Sequence, residues 1–314
     1  MESTTKQTSE LKKVPNIKML MFKSLFKRAS KQSPSTLPRS EFRITNIAGN
    51  QQSKKIALFH QVVDWPGEYL HPCYIHSLAF PLHMKLLLTP SFPFPLLGLV
   101  HIENKICQYR PIYRTENLTL TCRLADLVAH PKGWLFSVIT ECTTQGELIW
   151  CSESINLYRV KHSFEVASQA KPPAVSFSEH SRSVHWRLAS NLGRLYANAS
   201  GDYNPIHLAK WSARLFGFKR QIIHGMWTKS RSLSELQKQY PAAFDHEFTV
   251  QTAFKLPLYL PSNVVMLSQP FVTTPAVPEI KDRVKASNTI AFKVETQLND
   301  SEVSPHLLGS FSFT

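Results

Sequence analysis

The sequence has no long apolar run, no paired cysteine motif and few acidic residues. No apolar stretch approaches the roughly 20 residues that a membrane-spanning helix needs, and the N-terminus lacks the uninterrupted apolar core of a secretory signal. The five cysteines are odd in number and include no Cys-x-x-Cys pair, so neither zinc nor a disulfide framework is indicated. We therefore expect a cytoplasmic protein with reduced, buried thiols.

The scarcity of acidic residues is local. The chain has 36 Lys and Arg against 22 Asp and Glu, and residues 1–55 alone hold twelve of the basic residues and three glutamates. This basic N-terminal extension suits an anionic partner such as a membrane surface, a nucleic acid or an acidic carrier protein. It lacks the interleaved aromatic residues of a single-strand binder, so no nucleic acid is expected.

Three segments are expected within the extension. Residues 1–15 are polar and predicted to be disordered. Residues 17–28 alternate apolar and basic side chains, which predicts a short amphipathic helix. This helix contacts anionic lipid weakly, or it packs on the domain or forms a mobile tail. The readings without lipid contact are favoured, because one short helix binds membranes only marginally. Residues 33–39, with two prolines, are predicted to be a linker.

The rest of the chain is predicted to form two units, 56–165 and 166–314, with a boundary marked by Lys171-Pro172-Pro173. The first unit has one apolar helix followed by strands that are separated by turn signals, which indicates an α+β fold with a sheet wrapped around a helix. In the second unit the same order, helix and then strands, begins again. The predicted helices are 71–88 (interrupted at Pro81), 189–199, 208–216 and 226–236. The predicted strands are 96–102, 107–113, 118–124, 134–140, 148–157, 184–188, 248–256, 264–267, 290–296 and 307–313.

The two units share one order of elements. In both, the helix precedes a strand with a proline near its end, in Tyr109-Arg110-Pro111-Ile112 and in Lys255-Leu256-Pro257-Leu258. Proline is tolerated there only at an edge or a strand end. This similarity predicts an internal repeat.

The most informative stretch is Ser200-Gly201-Asp202-Tyr203-Asn204-Pro205-Ile206-His207. Asn204 is predicted to be a helix N-cap, with Pro205 as the first helical residue and His207 as the third. Helical side chains lean toward the N-terminus, so His207 points back toward the loop that carries Asp202. The positive end of the helix keeps the imidazole neutral, and a neutral His beside an ionised Asp can position a water molecule and move its protons. An ordinary turn into a helix, with Asp and Asn only satisfying backbone amides, is the alternative.

This stretch, preceded by Tyr196, resembles the signature of the MaoC-like dehydratases, the (R)-specific enoyl-CoA hydratases. Ile222-Ile223-His224-Gly225-Met226 resembles the segment that leads into the family's central helix, and Phe254-Lys255-Leu256-Pro257 resembles its Phe-Lys-x-Pro strand. The resemblance implies a double hot-dog fold of two fused units. The first unit lacks the motif, so one active site per chain is expected, with the N-terminal unit shaping the acyl pocket.

The resemblance further implies reversible hydration of trans-2-enoyl thioesters to (R)-3-hydroxyacyl thioesters. Asp202 would take a proton from the reacting water and His207 would orient it, although the reverse roles stay open for a coupled pair. The Gly225 amide would stabilise the enolate oxygen, flanked by His224 and Met226, while Asn204 would hold the turn. No metal is expected, and no cofactor either, since the sequence has no Gly-x-Gly-x-x-Gly or phosphate loop.

Several questions stay open at this stage. The thioester tether could be coenzyme A or acyl carrier protein, and a homodimer is possible. A hot-dog thioesterase is one alternative function. A non-catalytic module that binds acyl thioesters or a membrane surface is the other.

Overall fold

The computed structural model describes residues 7–29, 34, 36–48, 52–96, 98–160, 176–271, 288–297 and 303–314. The strands of these ranges are β1 Gln7–Leu11, β2 Ser40–Ala48, β3 Leu99–Gln108, β4 Asn117–His130, β5 Gly133–Thr144, β6 Glu147–Arg159, β7 Arg182–Leu188, β8 Phe248–Phe254, β9 Ser262–Phe271, β10 Asn288–Gln297 and β11 Val303–Phe313. The α-helices are α1 Ile17–Ser24, α2 Ser53–Val63, α3 Pro72–Leu87, α4 Leu192–Ser200, α5 Lys210–Arg214 and α6 Gly225–Gln239. Among the described helices, none has the length and apolar character needed to cross a membrane.

The strands form one eleven-stranded sheet in the order β1-β2-β4-β5-β6-β3-β8-β11-β10-β9-β7. Strands β1 to β6 come from the first half of the chain and β7 to β11 from the second. The two halves meet where β3 pairs antiparallel with β8, from Glu103 opposite Ala253 to Gln108 opposite Phe248. The helices α3 and α6 contact each other, and each packs against strands of its own half. This arrangement is the double hot-dog fold expected from the sequence.

The central helix of the first half, α3, is apolar and almost wholly buried. Its N-cap is His71, whose Nδ1 accepts a hydrogen bond from the amide of Cys73 at 2.9 Å, and Pro72 occupies the first helical position. Pro81 lies inside the helix, where the sequence predicts an interruption. The prediction is a kink or a restart at this proline; the structure has one continuous helix from Pro72 to Leu87, so the restart is wrong and the kink stays a prediction. The buried position of α3 explains how packing can outweigh the lost main-chain hydrogen bond.

The central helix of the second half, α6, is buried although it is polar. Hydroxyl groups along it donate to carbonyls one turn earlier: Ser230 to Met226 at 2.6 Å and Ser232 to Thr228 at 2.9 Å. These bonds satisfy side chains that would otherwise be costly to bury. Lys229 is fully buried too, and its Nζ donates to the main-chain oxygens of Asn104 at 3.0 Å and of Val250 at 3.4 Å.

The internal repeat is visible at the start of each central helix. The residue before each N-cap histidine donates to the carbonyl that follows the strand-end proline: Leu70 to Ile112 and Ile223 to Leu258, both at 2.8 Å. His71 has φ and ψ of −61° and 132°, and His224 has −63° and 134°. The predicted repeat is therefore confirmed as a shared main-chain geometry.

The N-terminal extension is more ordered than the sequence predicts. Residues 7–11 form β1, which pairs in parallel with β2, from Gln7 opposite Ser40 to Leu11 opposite Ile44. The helix α1 lies in the connection between these strands and packs on α3, with Leu20 and Ser24 buried. The expected disorder of 7–15 and the start of folding at Ile56 are therefore wrong, since two strands before residue 56 join the sheet. The packed alternative for the amphipathic helix is confirmed.

Some predicted boundaries also change. The predicted strands 96–102 and 107–113 are one strand, β3, followed by an irregular segment. The predicted helix 208–216 is a short 3-10 helix, Pro205–His207, followed by the separate helix α5. Lys171-Pro172-Pro173 and the junction at 165/166 lie outside the described residues, so the division into units at these positions stays a proposal. Cys73, Cys122 and Cys142 are buried, whereas Cys107 and Cys151 are half-buried.

Buried histidines make the fold sensitive to acid. Burial lowers the pKa of His71 and of His83 to about 3, from 6.5, and lowers that of His76 well below 6.5. The unfolded chain therefore binds protons below pH 6.5 that the folded chain does not bind, and stability falls as the pH drops from 6.5 toward the folded pKa values. Each such histidine contributes a loss of about 1.4 kcal/mol per pH unit.

We predict that the free energy of unfolding in urea falls by about 4 kcal/mol per pH unit between pH 6 and 5 from these three histidines together. His83→Gln should reduce this slope by about 1.4 kcal/mol per pH unit, because it removes one proton from the linkage. The matched control is His185→Gln, at an exposed position of β7. An equal slope in wild type and His83→Gln would contradict the assignment.

Candidate active site

The turn predicted from the sequence is built by short-range hydrogen bonds. Helix α4 ends at Gly201, whose φ of 82° lies in the left-handed region that glycine adopts without strain. The Asp202 amide donates to Ser200 Oγ at 3.2 Å, and the Asn204 amide donates to Asp202 Oδ1 at 3.1 Å. Asn204 then caps the 3-10 helix, accepting from the Ile206 amide at 3.4 Å. One carboxylate oxygen of Asp202 is thus held by the turn, and Oδ2 is left for another partner.

His207 is the last residue of this 3-10 helix and is buried. Its Nδ1 lies 2.9 Å from the carbonyl oxygen of Ile222. Because a carbonyl only accepts, Nδ1 must carry the proton, and Nε2 is left with a free lone pair. Burial and the nearby His224 lower the pKa of His207 to about 3, so the ring is neutral at physiological pH.

His224 connects this turn to the start of α6. Its Nε2 lies 2.9 Å from the main-chain oxygen of Asp202, so the Nε2 proton is donated there. Its ring stacks on that of His207, with centroids 3.7 Å apart and planes at 28°. Burial lowers the pKa of His224 to about 4, so the 3.9 Å approach to Asp202 Oδ2 is not an ion pair at neutral pH. His224 therefore positions the turn.

Gly225 is the first residue of α6, directly after the N-cap His224. The amides of the first helical turn have no partner within the helix, so the Gly225 N–H is free to bind a ligand oxygen. A Cβ atom at this position would lie 2.8 Å from the ring of Phe254. The glycine is thus required for packing against β8, in addition to the close ligand approach expected from the sequence.

The Asp202 carboxyl is the titratable group most exposed to solvent in this cluster. Burial raises its pKa above the usual 3.8, and the neighbouring His207 opposes this shift. The side chain is still 29% exposed, into the cavities described next, and that water moderates the effect of burial. The pair therefore combines a basic carboxylate with a neutral imidazole, as the sequence predicts.

Two cavities meet at this turn. The larger cavity, about 730 Å³, is lined by His207, His224 and Gly225, and by the basic residues Arg159 and Lys255. The smaller cavity, about 360 Å³, extends along α3 and α1. The residues that line both are Leu96, Leu99, His101, Asp202, Asn204 and Met226. All six sequence-predicted site residues (Asp202, Asn204, His207, His224, Gly225 and Met226) thus line this joint space.

The ligand atoms of Asp202, His207 and His224 lie within 4.8 Å of one another, a set that could hold a metal ion. The hydrogen bonds of the two histidines favour a role other than metal binding. Nδ1 of His207 and Nε2 of His224 are both engaged by main-chain carbonyls. A ligand role would leave each ring only its other nitrogen, and that of His224 is buried. The absence of a metal stays a prediction.

Sequence reasoning missed residues that act from a distance. A Cβ atom at Gly193, in α4, would lie 2.1 Å from the carbonyl oxygen of His207, so this glycine lets α4 pack against the turn that ends at His207. His101 of β3 reaches both cavities and contacts the Phe254 ring at 5.0 Å between centroids. For the contact between Gly193 and His207, the sequence offers one signal, a glycine inside a helix. The contact between His101 and Phe254 depends on the pairing of β3 with β8.

Comparison with known proteins gives the following relatives. Residues 178–268 match the family model described as MaoC like domain. The chain is 31% identical over 198 residues to 3-hydroxyacyl-thioester dehydratase X of Mycobacterium tuberculosis, covering 63% of this chain and 69% of the relative. It is 24% identical over 177 residues to peroxisomal multifunctional enzyme type 2 of Mus musculus, covering 54% of this chain and 24% of that protein.

Solved structures agree on the fold. A crystal structure of HtdX from Mycobacterium tuberculosis matches with a TM-score of 0.65 at 23% identity, covering 86% of this chain and 98% of the other. A MaoC-like dehydratase from Phytophthora capsici matches with a TM-score of 0.66 at 15% identity, covering 87% and 95%. At these identities the similarity supports the fold.

The contact between Gly225 and Phe254 gives a stability prediction. Gly225→Ala should lower the free energy of unfolding by about 1–3 kcal/mol, because the added methyl group overlaps the aromatic ring. In Phe254→Leu the smaller side chain leaves room, so adding Gly225→Ala to that variant should cost at least about 1 kcal/mol less. Urea unfolding of the four proteins measures this coupling. Additive effects would show that the ring moves aside freely.

Proposed function

The chain belongs to the MaoC-like dehydratases, a family of hydro-lyases, and from this premise we propose that Asp202 and His207 add water across the double bond of a trans-2-enoyl thioester. The product is the (R)-3-hydroxyacyl thioester, and the same site runs in reverse as a dehydratase. The observation that carries this proposal is the position of Asp202 at the junction of the two cavities, beside the neutral ring of His207 and the start of α6.

Each group has a distinct task in hydration. The turn leaves Asp202 Oδ2 free, and this oxygen takes a proton from the water. At the same time the oxygen of the water forms a bond to C3 of the substrate. The Nε2 lone pair of His207 accepts from the same water and orients it, since Nδ1–H is held by Ile222. The proton taken from water returns to C2 through this pair. Because the two groups titrate together, the reverse assignment of base and orienting residue remains a variant of the same mechanism.

The enolate oxygen requires a separate stabilising group. Electron density moves to the thioester oxygen when water adds at C3, and the Gly225 N–H at the positive end of α6 is suited to it. Such a donor typically contributes about 3–4 kcal/mol to the transition state. His224 holds the Asp202 main chain against the beginning of the same helix, so the base and the oxyanion donor keep a fixed separation.

The two cavities suggest how the substrate lies. Arg159 and Lys255 line the larger cavity and suit the phosphate groups of a pantetheine tether, whereas the lining of the smaller cavity is apolar in larger part and suits the acyl chain. Coenzyme A and acyl carrier protein both present such a tether, so the substrate class is an acyl thioester of either kind. A second copy of the chain is not needed to complete the site among the described residues.

We predict that Asp202→Asn and His207→Gln each lower kcat/KM for enoyl thioester hydration by about 10²–10⁴-fold. The assay follows loss of enoyl conjugation with coenzyme A and carrier-protein substrates, and chiral analysis of C3. Matched controls are Asp126→Asn, at an exposed position with φ of 53° that Asn tolerates, and His185→Gln. Full activity in both site variants, or an (S) product, would reject the mechanism. Release of free acid would indicate a thioesterase.

The pH profile tests the assigned protonation states. Because the pKa of Asp202 is raised above 3.8 and that of His207 is lowered to about 3, kcat/KM should fall on the acid side through the carboxyl alone. No limb should follow an ordinary histidine pKa of 6.5, since the pKa of His207 is far below that value. A limb near 6.5 that disappears in His207→Gln would contradict this assignment.

A further inference from the structure

The smaller cavity is closed on one side by the N-terminal helix α1. Met21, Phe22, Ser24 and Leu25 line the cavity whose other end reaches Asp202. These four side chains belong to a segment that lies outside the residues matched by the family model, 178–268. The N-terminal part of the chain therefore contributes this wall of the cavity.

The opposite wall is a stripe on α3. Ser77, Phe80, Met84 and Leu87 line the cavity at intervals of three and four residues, which places them on one face of the helix. Ten residues of α-helix span about 15 Å, so the stripe extends well beyond the reacting turn. Its polar end, Ser77, lies in the first half of α3, and the apolar Leu87 ends the helix.

Helix α1 runs along the same direction as this stripe. At its N-terminal end Lys18 Nζ lies 6.0 Å from the centroid of the Tyr203 ring, in the catalytic turn. Just past its C-terminal end Lys27 Nζ donates to the carbonyl of Thr89 at 2.8 Å, just beyond the end of α3. The helix therefore covers the cavity from the reacting turn to the far end of α3.

The α1 side chains that line the cavity differ in burial, which distinguishes those inside the cavity from those at its outer edge. Ser24 is buried and Met21 is half-buried, so these two face the cavity from inside. Phe22 and Leu25 also line it but are 63% and 48% exposed, which places them at its outer edge. Strands β1 and β2 hold the segment at both sides through their parallel pairing.

We propose that α1 determines the length of acyl chain that the enzyme accepts, with Met21 and Ser24 as specificity-determining residues. The inference rests on the proposed function, because it identifies the smaller cavity as the acyl site. A short chain occupies only the part near Asp202, whereas a long chain must pass beneath Met21 and Ser24. One methylene group in a fitted apolar pocket changes kcat/KM by about tenfold or more.

The experiment measures kcat/KM of the full-length protein for trans-2-enoyl-CoA thioesters from crotonyl to hexadecenoyl. Met21→Ala enlarges the cavity and should raise the ratio of long-chain to crotonyl activity about tenfold. Ser24→Leu fills it and should lower the same ratio about tenfold. Met19→Ala is the matched control on the same helix, because Met19 is 51% exposed and does not line the cavity.

The outcomes distinguish this inference from the proposed function. Opposite shifts of the ratio of long-chain to crotonyl activity in Met21→Ala and Ser24→Leu support it. If activity changes equally at all chain lengths, so that the ratio stays constant in both variants, the inference is overturned and hydration is left intact. If Ser24→Leu fails to fold, the shift in Met21→Ala decides alone. Wild-type protein that hydrates no enoyl thioester would instead remove the proposed function.

Discussion

The hydrogen bond from His224 Nε2 to the main-chain oxygen of Asp202 is the contact on which the site depends. It joins a short turn to the start of a central helix, and the stacking of His207 on His224 closes the same unit. Together with the hydrogen bond from His207 Nδ1 to the Ile222 carbonyl, it links the carboxylate to the N-terminus of the helix. Reaction at a fixed geometry requires both to be held within a fraction of an ångström.

The N-terminal half has the same main-chain geometry at the start of its central helix, but a different residue at the position of Gly225. His71 occupies the position of His224, and its helix begins with the same main-chain hydrogen bond. Pro72, however, stands where Gly225 offers a free amide, and proline has no N–H to donate. His71 itself is fully buried and bonded to the carbonyl of Ser230 in α6. In this half, the main-chain geometry shared by His71 and His224 serves the packing of α3 against α6.

Local patterns of the sequence predicted the turn, but they did not predict contacts between residues that are distant in the chain. The capping by Asn204 and the positive φ of Gly201 depend on neighbouring residues, so they were predictable. The burial of α6 was not obvious from its polar composition. It is possible because the hydroxyl groups donate hydrogen bonds to carbonyls of the same helix, one turn earlier. The ordering of residues 7–11 depends on pairing with a strand more than thirty residues away, which composition does not report.

One covalent chain carries both hot-dog units, and β3 of the first pairs with β8 of the second. In a symmetric pair of identical chains every substitution is made twice, once in each copy, so any change that suits the reacting side also alters the opposite side. Here a substitution in α3 or α1 occurs once. The N-terminal half, which contributes α1 and α3 to the smaller cavity, can therefore change without a matching change in the half that carries Asp202 and His207.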